Sequence, residues 1–204
     1  MSLSASKVSI TQYNIQGQLN SKVIDTVGDG LTQNTIADID KQVLDKAVGW
    51  TSFEKPFQPD FSGSSFVYCN YFDFSLRIDK KNIAAKVLKK HYTIEAARRM
   101  SESGRDYLSK TEKKLVKDHV LNALCLRVPA TPNIYDVVWN FEESSLWFFS
   151  NLKAANEELE TLFSKSFRLS LLRIFPYTAA DIYSNLTDSQ RDELQKISPT
   201  PIVN

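Results

Sequence analysis

The residues of this sequence most suited to chemistry are the cations of its central part. Residues 80–119 hold twelve Lys/Arg and five Asp/Glu, a net charge of +7, whereas residues 1–79 (six and nine) and 120–204 (seven and ten) each carry −3. The whole chain has a net charge of only +1. Such a local excess is typical of a surface that contacts a polyanion, since binding releases counterions. The candidate phosphate contacts are Lys86, Lys89, Lys90, Arg98, Arg99, Arg105, Lys110, Lys113, Lys114, Lys117 and Arg127. The alternative is that this stretch is a solvated face, because helices are often rich in lysine and the five acids dilute it.

A second pattern of charged residues permits a metal-dependent nuclease as an alternative interpretation. Asp60 follows Pro59, and Asp79 stands two residues before Lys81. In a nuclease site the two carboxylates would hold Mg²⁺, and the lysine would position or activate water. The pattern is short and arises often by chance, so the simpler interpretation is a loop proline-aspartate and a polar strand end.

Other kinds of active site lack their characteristic residues. The sequence has no glycine-rich phosphate loop and no G-x-S-x-G turn for a nucleophilic serine. His91 and His119 both lie in the basic stretch, and the two histidines and two cysteines are too far apart in sequence to suggest a zinc site. We therefore predict no catalytic residue, no metal and no cofactor.

Composition and cysteine usage predict a cytoplasmic protein. The hydrophobic fraction of 42% is typical of a folded domain, and the longest apolar runs, such as "LWFF", are far too short to cross a bilayer. The first residues lack a basic segment followed by an apolar one, so no signal peptide is expected. Cys69 and Cys125 each lie in an apolar run, which predicts two isolated, buried thiols in a reducing compartment.

The residue patterns predict an α+β fold in which antiparallel strand pairs pack with helices. We expect strands at 7–17, at 64–79 as one long strand or two paired ones, in "IYDVVWNF" and "SLWFFS" as a hairpin, and in "RLSLLRIFP". We expect helices at 20–31, at 35–50 with Gly49 as its stop, at 81–107 with a break at 101–104, after Ser109, at 151–167, and in two short segments after Pro176. The predicted parts are an N-terminal α+β part (1–79), a basic helical region with a strand hairpin and a helix (80–176), and a C-terminal helical tail (177–204).

Two of these helices have clear faces. Ser109 and Glu112 are spaced as a capping box, which predicts the start of the helix that carries four of the candidate lysines. Val116, Val120, Ala123 and Leu124 share one face of this helix, and Lys110, Lys113, Lys114 and Lys117 fall largely on the other. In the 151–167 helix the residues expected to face inward are Leu152, Ala155, Leu159, Leu162 and Phe163.

The order of these elements resembles that of the recombination-associated RdgC proteins. The resemblance lies in "LSKTEKKLVKDHVLNAL", a proline-broken loop, "IYDVVW", "SLWFFS" and "KAANEELETLFSKSF", with "AVGW" upstream. It covers about residues 7–176, consists of a pattern of elements with scattered identities, and is strongest over 108–167. It implies a cytoplasmic, nucleoid-associated homodimer that binds double-stranded DNA with little sequence preference and modulates recombination. Family members have sometimes been labelled exonucleases, but the resemblance brings no catalytic motif.

The sequence departs from the family pattern in two places. The loop after the basic helix is basic and aromatic in the family, but here it reads "LCLRVPATPN", and only Arg127 keeps the charge. The family's C-terminal part has no counterpart in these 204 residues, so the resemblance is to a short form. These departures leave a third interpretation open: a structural or interaction module that kept the fold and lost DNA binding.

Overall fold

The computed structural model describes residues 8–19 and 22–198, which form an α+β fold, as predicted. The strands are β1 Thr11–Gln16, β2 Lys46–Ser52, β3 Val67–Tyr68, β4 Tyr71–Lys80, β5 Thr131–Asn140, β6 Ser145–Phe148 and β7 Ser170–Arg173. The helices are α1 Val23–Gln33, α2 Ala85–Ser103, α3 Lys110–Cys125, α4 Lys153–Phe167, α5 Pro176–Tyr183 and α6 Asp188–Lys196.

The strands join in one antiparallel sheet with the order β2-β4-β5-β6-β1-β7, and β3 pairs with β4 outside this path. The longest pairing is between β4 and β5, which runs in unbroken register from Tyr71 opposite Asn140 to Lys80 opposite Thr131. The sheet takes strands from both sides of the predicted boundary at residues 79 and 80. The boundaries of the three predicted parts stay a prediction.

One face of the sheet packs on α1 and α4 and forms the main core. Along β4 the buried apolar residues alternate (Phe72, Phe74, Leu76, Ile78), as the period of a half-buried strand requires. From β5, Trp139 lies 5.1 Å from Phe163 and 5.4 Å from Phe167 of α4, measured between ring centroids. Such aromatic pairs add about 0.5–1.5 kcal/mol each beyond the burial of their area.

The predicted inward face of α4 is right except at its first residue. Ala155, Leu159, Leu162 and Phe163 are buried, as expected. Leu152 precedes the first turn of the helix and is 54% exposed, so its prediction as an inward residue is wrong. Leu152 fits the helical spacing of the inward residues, but the helix itself begins at Lys153.

The predicted helix over 35–50 is wrong. Residues 35–45 have no helix, and the chain then enters β2, which pairs with β4 from Lys46 opposite Lys80 to Ser52 opposite Phe74. Gly49 is not a helix stop but a strand residue, and a Cβ there would lie 2.4 Å from Cα of Ile36. The helical spacing of apolar residues is coincidental, since Val43 and Leu44 are 46% and 54% exposed. Burial of Trp50 and the β4 ladder outweigh local propensity here.

The segment 64–79 forms two paired strands, the second of its two predicted forms. The β3–β4 hairpin turns at Cys69 and Asn70, and Cys69 has a φ of 52°. This turn exposes Cys69, so its predicted burial is wrong, whereas Cys125 at the end of α3 is buried, as predicted.

Candidate nucleic-acid interface

Helices α2 and α3 carry the basic stretch and form a helical hairpin with a small core of its own. Ala96 of α2 packs with Leu108, Val116, Val120 and Leu124, and this cluster is separate from the main core. The hairpin turns at Gly104, which adopts the left-handed conformation at the end of α2. The predicted capping box is confirmed: Ser109 Oγ accepts from the Glu112 backbone N–H, and the Glu112 carboxylate accepts from the Ser109 N–H at 2.8 Å.

Lysines of both helices meet at one groove of this hairpin. Lys110, Lys114 and Lys117 are spaced i, i+4 and i+7 along α3, so they form one stripe. Lys117 lines a groove between the helices together with Lys89 of α2, and Leu88 and Tyr92 form part of the groove wall. We name this surface the lysine edge, and its members are Lys86, Lys89, Lys90, Lys110, Lys113, Lys114 and Lys117.

The lysines of the lysine edge are exposed and form no ion pair among the described residues. All seven lysines are exposed, and none forms an ion pair with another residue of the described ranges 8–19 and 22–198. Asp118 follows Lys114 by one helical turn and is exposed without an ion pair. Ammonium groups without carboxylate partners can bind phosphate without first breaking an ion pair.

The predicted arginines have a different environment, because they bind acids of the hairpin itself. Arg98 donates to Glu95 (2.8 Å) and to Glu102 (2.8 Å), and Arg99 donates to Glu95 (3.1 Å). The hydrogen bonds from Arg98, then those from Arg99, lower the pKa of the Glu95 carboxyl to about 2. At the turn of the hairpin, Arg105 donates to Glu112 at 2.6 Å.

The second edge of the hairpin carries both histidines. A cleft of about 160 Å³ is lined there by His91, Glu95, His119 and Arg127, with four apolar neighbours. Arg127 is exposed and lines this cleft. It is not among the residues that line the groove shared by Lys89 and Lys117. The hairpin thus separates a lysine edge from an edge of paired charges and histidines.

The residues of the nuclease interpretation have other partners. Asp79 is buried and receives two hydrogen bonds from Arg77 (2.8 and 2.7 Å). The ammonium of Lys81 donates to three backbone carbonyls, at 2.6–3.1 Å. The backbone N–H of Asp60 donates to Ser52 Oγ at 2.7 Å. Ser52 pairs with Phe74, which lies five residues from Asp79 along β4, or about 16 Å along the strand. The geometry gives each of the three residues a structural role and does not bring them together.

Two further features of the described residues bear on ligands. Among residues 8–19 and 22–198, no group of three His, Cys, Asp or Glu side chains could hold a metal ion. Within the same ranges, no helix combines the length and the apolar character that crossing a membrane requires.

Comparison with known protein families finds no model that matches this chain. Comparison with curated proteins finds no match either. Support for a function therefore comes from the geometry of the hairpin.

Local sequence already contained the signal for the arginine pairing. Glu95 lies three and four residues before Arg98 and Arg99, and Glu102 lies four residues after Arg98. These are the spacings at which opposite charges meet on a helix surface. A count of cations alone therefore includes the ion-paired arginines and the unpaired lysines in one candidate surface.

Proposed function

We propose that this chain binds double-stranded DNA without sequence preference through its lysine edge, as an RdgC-like protein that modulates recombination. The observation that carries the proposal is the charge of the lysine edge: seven exposed lysines with no ion pair among the described residues. The proposal includes what the family resemblance implies, namely a homodimer located at the nucleoid and no enzymatic step.

The chemistry of the lysine edge suits phosphates better than bases. An ammonium is a compact, mobile point charge, whereas bidentate base recognition is typical of arginine. Three hairpin arginines, Arg98, Arg99 and Arg105, are already held by Glu95, Glu102 and Glu112. Contacts to phosphate alone fix position on the duplex and carry no sequence information.

The spacing of the lysines also fits a DNA backbone. From Lys110 to Lys117 the helix rises by about 10 Å, which corresponds to about three phosphates of one strand along the duplex axis. Lys89 extends the row onto α2 across the shared groove. Non-specific binding of this kind has a dissociation constant of about 1–100 μM at physiological salt.

The test is a fluorescence-anisotropy titration of a labelled duplex at several salt concentrations. If all seven lysines meet phosphates, the slope of log K against log salt is about −6. Changing Lys110, Lys113, Lys114 and Lys117 together to Glu is expected to abolish binding at physiological salt. Glutamate is a good helix former and is favourable near a helix N-terminus, so the helix is expected to persist.

The matched control reverses four exposed lysines outside the hairpin: Lys22, Lys41, Lys55 and Lys165. This variant has the same net charge as the first, so equal loss in both would show a net-charge effect and contradict the lysine edge as the site. Unchanged binding in the hairpin variant would contradict it as well. A chain that binds no duplex even at low salt would instead support the interaction-module interpretation, which the uncharged segment at 128–132 favours.

A further inference from the structure

A cavity of about 280 Å³ lies on another part of the molecule, between the loop after β2 and the β3–β4 hairpin. Phe61 and Phe66 contribute apolar walls, and Tyr68, which is 70% exposed, also lines the cavity. Asp73 of β4 also lines the cavity. The volume is suited to a small molecule or to one inserted side chain.

Asp73 lines this cavity, and one oxygen of its carboxyl has no hydrogen-bond partner in the described part of the chain. Its Oδ1 is buried and makes no hydrogen bond within the described residues. The polar neighbours on the same face of β4 are occupied, because Ser75 donates to Asp136 (3.1 Å) and Arg77 donates to Asp79. A carboxyl oxygen that is buried without a hydrogen bond is unfavourable, so the Asp73 carboxyl favours a donor that enters the cavity.

The charge of the lining favours a cation. Glu54, Asp60 and Asp73 are three carboxyls against the single ammonium of Lys55, a net −2 when all are ionised. One Asp60 oxygen already accepts from the Ser62 N–H at 2.9 Å, and this bond is the main cause that holds the Asp60 pKa below its usual range. Glu54 is exposed to water, so Asp73 is the carboxyl of this lining that has a buried oxygen without a partner among the described residues.

The same lining disfavours anions and divalent metal ions. Anions meet a net negative charge. A divalent metal needs several converging oxygen or nitrogen ligands, and no three such acidic, His or Cys side chains converge among residues 8–19 and 22–198. An ammonium group on a short alkyl chain can donate one N–H to a carboxylate and the other two to water, while apolar or aromatic walls contact its methylenes. The cavity lining supplies the carboxylate and the walls.

We propose that the cavity beside Asp73 binds a small organic ammonium group, either of a free amine or of a lysine side chain, with Asp73 as its acceptor. This site does not depend on the proposed DNA binding, since it shares no residue with the lysine edge.

The test uses butylammonium as the probe and 1-butanol as its uncharged counterpart, followed by amide NMR shifts in the whole protein. Butylammonium is expected to give saturable shifts confined to the cavity residues, such as Asp73 and Tyr68, while butanol gives none. Asp73→Asn keeps the shape and removes the charge, so it is expected to weaken binding at least about tenfold. Asp29→Asn, the same change on the exposed face of α1, is the matched control and should leave binding unchanged.

Equal shifts with butanol, undiminished binding by Asp73→Asn, or no saturable shift with butylammonium would each overturn the proposal. A second readout needs no variant: the carboxyl carbon of Asp73 in the wild-type protein is expected to titrate at lower pH when butylammonium is present. A titration that the amine leaves unmoved would equally contradict the role of Asp73. A free amine and a lysine source are distinguished by adding N-acetyl-lysine amide, whose binding would show that the cavity accepts a side chain.

Discussion

Replacement of Lys81 by Met tests how the helical hairpin is attached to the sheet. Lys81 is 7% exposed, and its ammonium donates to the carbonyls of Asp40 (3.1 Å), Gln42 (2.7 Å) and Cys125 (2.6 Å). These carbonyls belong to the segment before β2 and to the last residue of α3. One side chain therefore joins three parts of the chain that are distant in sequence.

The expected cost follows from these three contacts. Hydrogen bonds that involve a charged group are worth about 1.5–3 kcal/mol each. The Asp40 and Gln42 residues are exposed and their carbonyls can return to water, whereas Cys125 is buried. Methionine has a similar volume, so little cavity energy is added. We expect Lys81→Met to lower the free energy of unfolding by about 3–4 kcal/mol.

The assay is urea unfolding followed by tryptophan fluorescence and by far-UV circular dichroism. The midpoint should fall while the slope with denaturant stays unchanged. Lys80→Met, at the exposed neighbouring residue, is the control and should change stability by less than about 0.5 kcal/mol. A loss below about 1 kcal/mol in Lys81→Met would refute the assigned role, and loss of a nuclease activity at unchanged stability would favour the Asp60/Asp79/Lys81 interpretation instead.

Three further predictions concern single residues. Gly49→Ala brings a Cβ to 2.4 Å from the Ile36 backbone and should cost about 2–3 kcal/mol, seen as a lower Tm; an unchanged Tm would mean that the 35–36 segment yields freely. Ser109→Ala removes the cap of α3 and should cost about 1 kcal/mol in urea unfolding, whereas Ser103→Ala, at the end of α2, should cost less. Burial raises the pKa of the Asp73 carboxyl above its usual value of 3.8. The folded protein therefore keeps a proton on Asp73 at pH values where the unfolded chain has lost it, and the free energy of unfolding falls as the pH rises above 3.8 through this range. Asp73→Asn should therefore unfold at higher urea than wild type at pH 7 but not at pH 3, and an equal difference at both pH values would contradict the raised pKa.

Most secondary structure was predictable because its signals are local. The alternation of Phe72, Phe74 and Leu76 depends only on the two-residue period of a strand, and the Ser109 capping box depends on two residues three apart. The 35–50 segment was mispredicted because its spacing fits a helix while its pairing with β4 depends on residues 71–80. No local pattern shows that pairing with β4 is more favourable than a helix for these residues.

The candidate site likewise has features that local sequence predicts and features that depend on the tertiary structure. Sequence alone determined that the positive charge lies in residues 80–119 and that Lys110, Lys114 and Lys117 share a stripe, because both follow from composition and helical period. Only the tertiary structure decided that the α2 and α3 stripes meet at one groove, with Lys89 opposite Lys117, while Arg127 lies beside the histidines. The physical reason is that the period orients residues within one helix, whereas the rotation of one helix against another is set by burial of Ala96, Val116 and Val120 between them.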